Sequence, residues 1–395
     1  MPNDRLKLPQ VFSISRLPKI IFGEGEFKQL ASEIAAVGNN ILIVTGSRSF
    51  IDMPQWEELQ SDLFNLNISW SLVQIKGEPN PTIIDQTIAR HKDSGLDAVV
   101  GIGGGSPLDA AKAIAGLLPS GHSIMDYLEG VGRGVTYTGP GLPFIAVPTT
   151  AGTGSEMTKN AVISSLSEKF KKSFRDDQLT ATLAIIDPDL LQRCPRDQMI
   201  ANAMDAFTQL LEAYTSPRQN PVTDALALSG ITYFLKGFSH QKEGDLAGLA
   251  HLAYSSMISG ICLAQTGLGA VHGLASPLGA SFPIPHGVAC GTLLAAVTET
   301  NINALQTRQP DSYALSRYEI VGQLLPNDEG LHPLENLIQT IWHWTEILQL
   351  PKLSQYGLTE ANIDDIVVAS GGNSMKTNPI LLTHQELESI LRIRM

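Results

Sequence analysis

The chain has 395 residues, of which 43% are hydrophobic and 17% charged, with a formal net charge of −12. That length exceeds what one hydrophobic core usually covers and predicts two domains. The acidity excludes nucleic acid as the main partner, because phosphate binding needs clustered lysine and arginine and the one short basic cluster is KFKK at 169–172. No run of about twenty apolar residues occurs, so no membrane span is expected. The opening MPNDRLKLPQ lacks the basic-then-apolar layout of an export signal. A cytoplasmic enzyme is the expectation. Three scattered cysteines, Cys194, Cys262 and Cys290, form neither a disulfide framework nor a CxxC zinc site and read as buried, inert thiols.

In chain order, short β-branched runs alternate with helical patterns: ILIVT (41–45), WSLVQI (70–75), DAVVGI (97–102), PFIAVP (143–148) and LAIID (183–187). Such alternation predicts parallel strands joined by crossover helices. After DPDL (187–190) the rhythm changes to long apolar helical periods broken at SPRQNP, FPIPH and LQLPKL. The prediction is an α/β domain over residues 1–192 and an all-helical domain over 193–395, with the boundary at Leu190–Pro195.

Within the first domain, DAVVGIGGGSPLDAAKAIAG (97–116) reads as a buried strand, three glycines and an alanine-rich helix, with Ser106 as N-cap and Pro107 at the first helical position. Glycines let backbone approach a ligand, and amides at a helix start bind anions, so a pyrophosphate is the natural occupant. A ligand-free glycine connection is the competing reading, since this is not GxGxxG. PTTAGTGSEMT (148–158) supplies a second small-residue loop at the carboxyl end of a strand, where open α/β sheets bind ligands. At VTGSR (44–48), a carboxylate would favour a free ribose 2′-hydroxyl. Gly46, Ser47 and Arg48 instead leave room and positive charge for a 2′-phosphate, which favours NADP(H) over NAD(H); an ordinary solvated Arg48 is the rival view.

In the helical half, AMDAFTQLLEAYTS (203–216) places Asp205 and Gln209 one turn apart on an apolar helix, where an unpaired carboxylate is costly. GAVHGLASPLGASFPIPHGVACG (269–291) carries His272 on one helix and His286 after a Pro-Ile-Pro break, so two helices can aim both imidazoles at one point. The other histidines, His91, His122, His240, His251, His332, His343 and His384, read as surface or locally satisfied residues.

With these segments, FGEG (22–25), EPNPT (78–82), GGGSPLDAAK (103–112), IDPDL (186–190), MDAFTQLLEAY (204–214), VHGLASPLG (271–279), IPHG (284–287) and NPILLT (378–383), the chain resembles the iron-containing, or group III, alcohol dehydrogenase family nearly end to end. The resemblance implies the dehydroquinate synthase-like fold, with a nicotinamide cofactor in the α/β domain, a metal in the cleft between domains, and a dimer. By motif, Gly104, Gly105 and Ser106 would cradle the pyrophosphate, Asp109 would support that loop, Thr149, Thr150, Thr153 and Ser155 would line the groove, and Asn80 and Lys171 would lie near the cofactor. The metal positions are Asp205, Gln209, His272 and His286, with Gln209 where the family has histidine. Ser276 stands where a proton-relay histidine is usual.

Three outcomes stay open: a three-ligand catalytic zinc on Asp205, His272 and His286; a weaker site completed by the Gln209 oxygen; or a lost metal. Fe2+ or Zn2+ is expected, with Mn2+ as a third candidate. The implied reaction is hydride transfer between NAD(P)(H) and a small alcohol or aldehyde, catalysed by Asp205, His272, His286 and Ser276. A cofactor-using lyase and a catalytically impaired binding protein are the alternatives.

Overall fold

The computed structural model describes residues 11–242 and 248–395; the opening MPNDRLKLPQ and the side chain of His240 lie outside them. Eight strands are present among these residues: β1 (Lys19–Phe22), β2 (Asn40–Gly46), β3 (Ser69–Ile75), β4 (Ala98–Gly103), β5 (Phe144–Pro148), β6 (Asn160–Ser165), β7 (Phe170–Arg175) and β8 (Leu183–Ile186). Six form one parallel sheet in the order β1-β8-β5-β4-β2-β3, and β6 and β7 pair as an antiparallel hairpin. The five strands expected from apolar runs are all in the parallel sheet. KIIF is too short to stand out, and forms because β8 offers it a complete register from Lys19↔Leu183 to Phe22↔Ile186. The KFKK cluster turns out to overlap β7, where Phe170 and Phe174 are buried and Lys172 is exposed.

The sheet is buried on both faces, as parallel sheets are. Leu42, Val44 and Val99 pack under α3 (Pro81–His91) and α4 (Gly105–Leu117), against Ile84, Ile88, Ala111 and Ile114. On the other face, Ile41, Ile43 and Val100 meet Leu30, Ile34, Leu59 and Leu63 of α1 (Leu30–Ala35) and α2 (Pro54–Asn65). Each such side chain contributes about 1.5–3 kcal/mol of burial. Beyond β2 the chain runs outward to β3, then crosses back to β4 on the opposite side. The loops leaving β2 and β4 therefore diverge and open a crevice at the carboxyl edge of the sheet.

The second half is helical: α5 (Arg196–Thr215), α6 (Pro221–Lys242), α7 (Leu249–Thr266), α8 (Ala270–Ser281), α9 (His286–Arg308), α10 (Tyr313–Leu324), α11 (Pro333–Ile347), α12 (Glu360–Ala369) and α13 (His384–Ile393). Helix α5 is buried along nearly its whole length, and its Met204, Phe207, Leu210 and Leu211 share one core with Phe234, Ile258 and Leu293. Among the described residues no single helix is long and apolar enough to cross a membrane. The two halves touch where Gly154, at φ +58°, meets Gly260 of α7; a Cβ on Gly154 would lie 2.5 Å from the Gly260 Cα.

A fully buried lysine ties this junction together. Lys112 Nζ donates to Ser155 O, Thr158 Oγ1 and Asn160 O, each at 2.8 Å, with Asp109 Oδ1 at 3.8 Å. Three strong bonds use the three ammonium protons. Burial brings its pKa down to about 8, against the pull of Asp109 and Glu156. Lys112→Met would strand these acceptors and the Asp109 carboxylate. We expect a loss of about 3–5 kcal/mol in urea unfolding; a loss below about 1 kcal/mol, the worth of an exposed pair, would show that Lys112 is not the anchor.

Candidate active site and metal centre

A cleft of about 1350 Å³ runs between the carboxyl edge of the sheet and the helical half. At one end lies the glycine turn. Gly103 has φ +154°, and a Cβ there would come within 2.8 Å of the Pro107 ring, so only glycine fits. Helix α4 begins at Gly105, with Gly104 as the cap residue and no side-chain capping bond. This corrects the expectation of Ser106 as N-cap: the helix starts earlier, Ser106 lies inside its first turn and Pro107 is one position further in. The physical consequence is that no hydroxyl competes for the first helical amides, which are left for an anion.

The 149–155 loop packs closely over this turn. A Cβ on Gly104 would sit 3.2 Å from Thr150 Oγ1, and one on Gly105 3.1 Å from the Thr153 side chain. Thr149 N donates to Gly103 O at 3.0 Å. Asp109 accepts from Ser155 Oγ and, at 3.0 Å, from the Val162 amide, joining α4, the loop and the hairpin. Lys171 reaches the cleft wall from β7 and pairs with Glu78 at 3.2 Å.

Two expected cofactor residues are placed elsewhere. Asn80 is exposed and its Oδ1 accepts from Ile83 N at 3.0 Å, capping α3 ahead of Pro81; the side chain is spent on helix initiation and does not line the cleft. Gly46, Ser47 and Ser49 line the cleft at and just after the end of β2, whereas Arg48 is exposed and off its wall, in a turn closed by Asp52 N donating to Arg48 O at 3.0 Å.

At the opposite end, Asp205 of α5, His272 of α8 and His286, the first residue of α9, converge with Cys290 of α9. One ligand atom from each lies within 4.8 Å of all the others. His272 Nε2 is 3.2 Å and His286 Nε2 3.8 Å from Asp205 Oδ1, while Cys290 Sγ is 3.6 and 3.7 Å from the same two nitrogens. The break over Phe282–Pro285 separates α8 from α9, so His272 and His286 reach one point from two different helices.

Glu212, two turns beyond Asp205 on α5, accepts from Val271 N at 2.7 Å through Oε1 and from His272 Nδ1 at 2.6 Å through Oε2. A carboxylate holding Nδ1–H fixes the ring and leaves Nε2 for the centre. Gln209 lines the cleft, with Oε1 2.7 Å from the Ser259 hydroxyl of α7. Ser276, one turn after His272, also lines it, with Oγ 3.5 Å from Lys171 O.

The charges are strongly coupled. Burial alone would raise the Asp205 pKa, but His286 and His272 bring it down to about 2. Burial disfavours a charged His272, yet Cys290, Glu212 and Asp205 outweigh it and hold that pKa well above the ordinary range. Burial depresses His286 to about 4, with Lys171 and His272 adding to the fall. Asp205 Oδ2 and His286 Nδ1 are buried without hydrogen-bond partners. Orphaned buried groups of this kind are uncommon, and a carboxylate with two imidazoles is a donor set suited to a divalent ion. The residues fit a metal.

Two participants escaped the sequence reading. Glu212 stands seven residues after Asp205, on the same helical face, and that spacing was the available signal. Cys290, expected to be inert, stands one helical turn after His286. Elsewhere, His384 has Asp364 Oδ1 at 2.8 Å and Glu388 Oε1 at 3.7 Å; the group is largely exposed, an ordinary solvated cluster in keeping with the reading of His384 as a surface residue.

Comparison with known proteins shows which family the chain belongs to. Alcohol dehydrogenase 4 of Schizosaccharomyces pombe is 33% identical over 388 residues, covering 95% of this chain and 87% of the relative. The NAD-dependent methanol dehydrogenase of Bacillus methanolicus is 27% identical, covering 95% and 97%. A crystal structure of 1,3-propanediol oxidoreductase superimposes with a TM-score of 0.87 at 26% identity, over 98% of this chain and 100% of that one. Residues 18–188 match the iron-containing alcohol dehydrogenase profile and residues 199–395 the C-terminal profile of the Fe-containing alcohol dehydrogenase family. The chain therefore belongs to the iron-containing alcohol dehydrogenase family.

Proposed function

We propose that this alcohol dehydrogenase interconverts a small alcohol and its aldehyde with NADP(H) in preference to NAD(H), running chiefly as aldehyde reduction, at a centre held by Asp205, His272 and His286. The observation that carries this reading is the shared cleft: His272 and His286 line it, with buried Asp205 against both imidazoles, and so does the uncapped start of α4. A divalent metal, Fe2+ or Zn2+ with Mn2+ a third candidate, would supply Lewis-acid polarisation of the substrate oxygen. The nicotinamide would supply or accept the hydride.

The protein's own part is to bind, orient and shield. The amides of Gly105 and Ser106 would hold the pyrophosphate, and Thr150 and Thr153 would wall the groove beside it. Glu212 keeps His272 in one tautomer. His272 and His286 are the imidazoles lining the cleft among the described residues, and both serve the centre, so proton exchange with solvent would pass through the Ser276 hydroxyl, ribose hydroxyls or water. The helical half contributes Arg218 as its cationic side chain on the cleft wall. The sheet half adds Lys159, Lys171 and Arg175 to that wall, and steady NADPH consumption with aldehyde is what separates a dehydrogenase from the lyase alternative.

The preference for NADP(H) rests on the lack of an acidic residue among Gly46, Ser47 and Ser49. Gly46 has ordinary backbone geometry, and a Cβ there would meet its nearest neighbour, Pro107, at 3.7 Å. A carboxylate can therefore be added without strain.

Three outcomes follow from this reading. Chelation should lower kcat/KM for aldehyde by about 100-fold or more, with recovery on adding Zn2+ or Fe2+; full activity in verified metal-free protein would refute it. Gly46→Asp should move the NADP(H)-to-NAD(H) ratio of kcat/KM by about tenfold or more toward NAD(H); an unchanged ratio would remove the basis for the preference. The kcat–pH profile should be broad across about pH 5–8, where a free histidine titrates. A sharp limb there that Ser276→Ala leaves in place would contradict the absence of an imidazole relay.

A further inference from the structure

We infer that Cys290, rather than Gln209, is the fourth protein donor of the metal centre, making an Asp-His-His-Cys set. The inference rests on the reading of Asp205, His272 and His286 as metal-holding residues.

The geometry of the thiol carries it. Ligand distances of about 2.3 Å for sulfur and 2.0–2.1 Å for nitrogen place S and N about 3.6 Å apart around a tetrahedral ion. Cys290 Sγ lies 3.6 Å from His272 Nε2 and 3.7 Å from His286 Nε2. The corresponding N-to-O edge is about 3.3 Å, against 3.2 and 3.8 Å from Asp205 Oδ1 to the two nitrogens. Three of these four edges match one coordination shell to within about 0.1 Å, the edge from Asp205 to His286 is longer, and all four atoms lie within 4.8 Å of one another. Helix periodicity explains why: His286 and Cys290 are four residues apart on α9 and share a face.

Gln209 is placed differently. Ser259 Oγ lies 2.7 Å from its Oε1, tethering the amide head to α7. Gln209, His272 and His286 line the cleft, while Cys290 is fully buried and does not. The thiol approaches from the protein side, which leaves the cleft side, with Gln209, open toward substrate. Thiolate is also the better zinc ligand than a neutral amide oxygen, so this set favours Zn2+ or Co2+ over Mn2+. On binding, the metal–sulfur bond forms as the S–H bond breaks, and the proton leaves to solvent without any change of oxidation state.

Cobalt titration of metal-free protein tests this with a readout independent of turnover. Wild type should bind one equivalent of Co2+, with visible ligand-field bands and an intense near-ultraviolet thiolate-to-cobalt band. Cys290→Ser, checked for folding by circular dichroism, should lose the near-ultraviolet band and bind about 10–100-fold more weakly. Gln209→Ala should keep both band and affinity. Visible bands without the near-ultraviolet band in wild type would overturn the inference while leaving the metal centre intact, and this outcome does not depend on any variant folding. A band that persists in Cys290→Ser, or equal weakening by Gln209→Ala, would overturn it as well. Failure of wild type to bind Co2+ or Zn2+ would instead overturn both the inference and the metal-centre reading beneath it.

Discussion

A carboxylate sealed inside apolar helices stays ionised only where positive charge or strong donors meet it, and Asp205, 1% exposed in the middle of α5, imposes that requirement on the helical half. The chain answers from two other helices. His272 and His286 reach Asp205 from α8 and α9, on either side of the Pro283-Ile-Pro285 break, and Glu212 holds His272 through its other ring nitrogen. The answer is incomplete without a further cation: Asp205 Oδ2 and His286 Nδ1 remain buried and unpartnered. The surrounding acidic groups hold His272 well above its ordinary pKa, whereas burial, with Lys171 and His272 adding to it, brings His286 down to about 4. Such divergence between adjacent groups marks functional sites more often than structural ones.

The sheet half solves the complementary problem of offering positive potential from backbone amides at the start of α4, beside the cleft-wall cations Lys159, Lys171 and Arg175. Gly103 and Gly104 bring the start of α4 to the cleft with its first amides uncapped, and Thr150 and Thr153 crowd so close that side chains at Gly104 or Gly105 would press on them. Lys112 then locks the loop carrying those threonines to α4 from beneath, through Ser155, Thr158 and Asn160. The contact of Gly154 with Gly260 places this assembly against α7, whose Ser259 holds Gln209. The anion end and the metal end are therefore linked by packed backbone, which sets the separation across which a cofactor and substrate would be held.

Much of this was legible in the sequence because the signals were local and strong. Buried parallel strands are continuous apolar runs, so five appeared directly. A glycine triplet before an alanine-rich helix shows where a backbone approaches a ligand, and Asp205, His272 and His286 stood out as polar residues in apolar helices. What stayed hidden depends on tertiary partners. KIIF is a strand only because β8 supplies its register. Ser106 looked like a cap because serine is a good one, but its place within the turn depends on where the glycines end. Asn80 sits in a motif that equally suits a helix cap, and capping won. Arg48 lies in the turn after β2, and the path of that turn, which no local pattern announces, leaves Ser47 and Ser49 on the cleft wall and Arg48 off it. Cys290 carries no metal signal among scattered cysteines, and its four-residue spacing from His286 gains meaning only once α9 faces Asp205.

The central claim is that separate helices bring Asp205, His272 and His286 to one metal ion inside the nicotinamide cleft. Anomalous diffraction at the zinc and iron absorption edges, on crystals of the protein with bound NADP(H), tests it most directly. The account predicts one peak within about 2.0–2.2 Å of Asp205 O and both histidine nitrogens, facing the nicotinamide. A metal-loaded crystal with no peak among these three side chains, or with its peak outside the cleft, would contradict it.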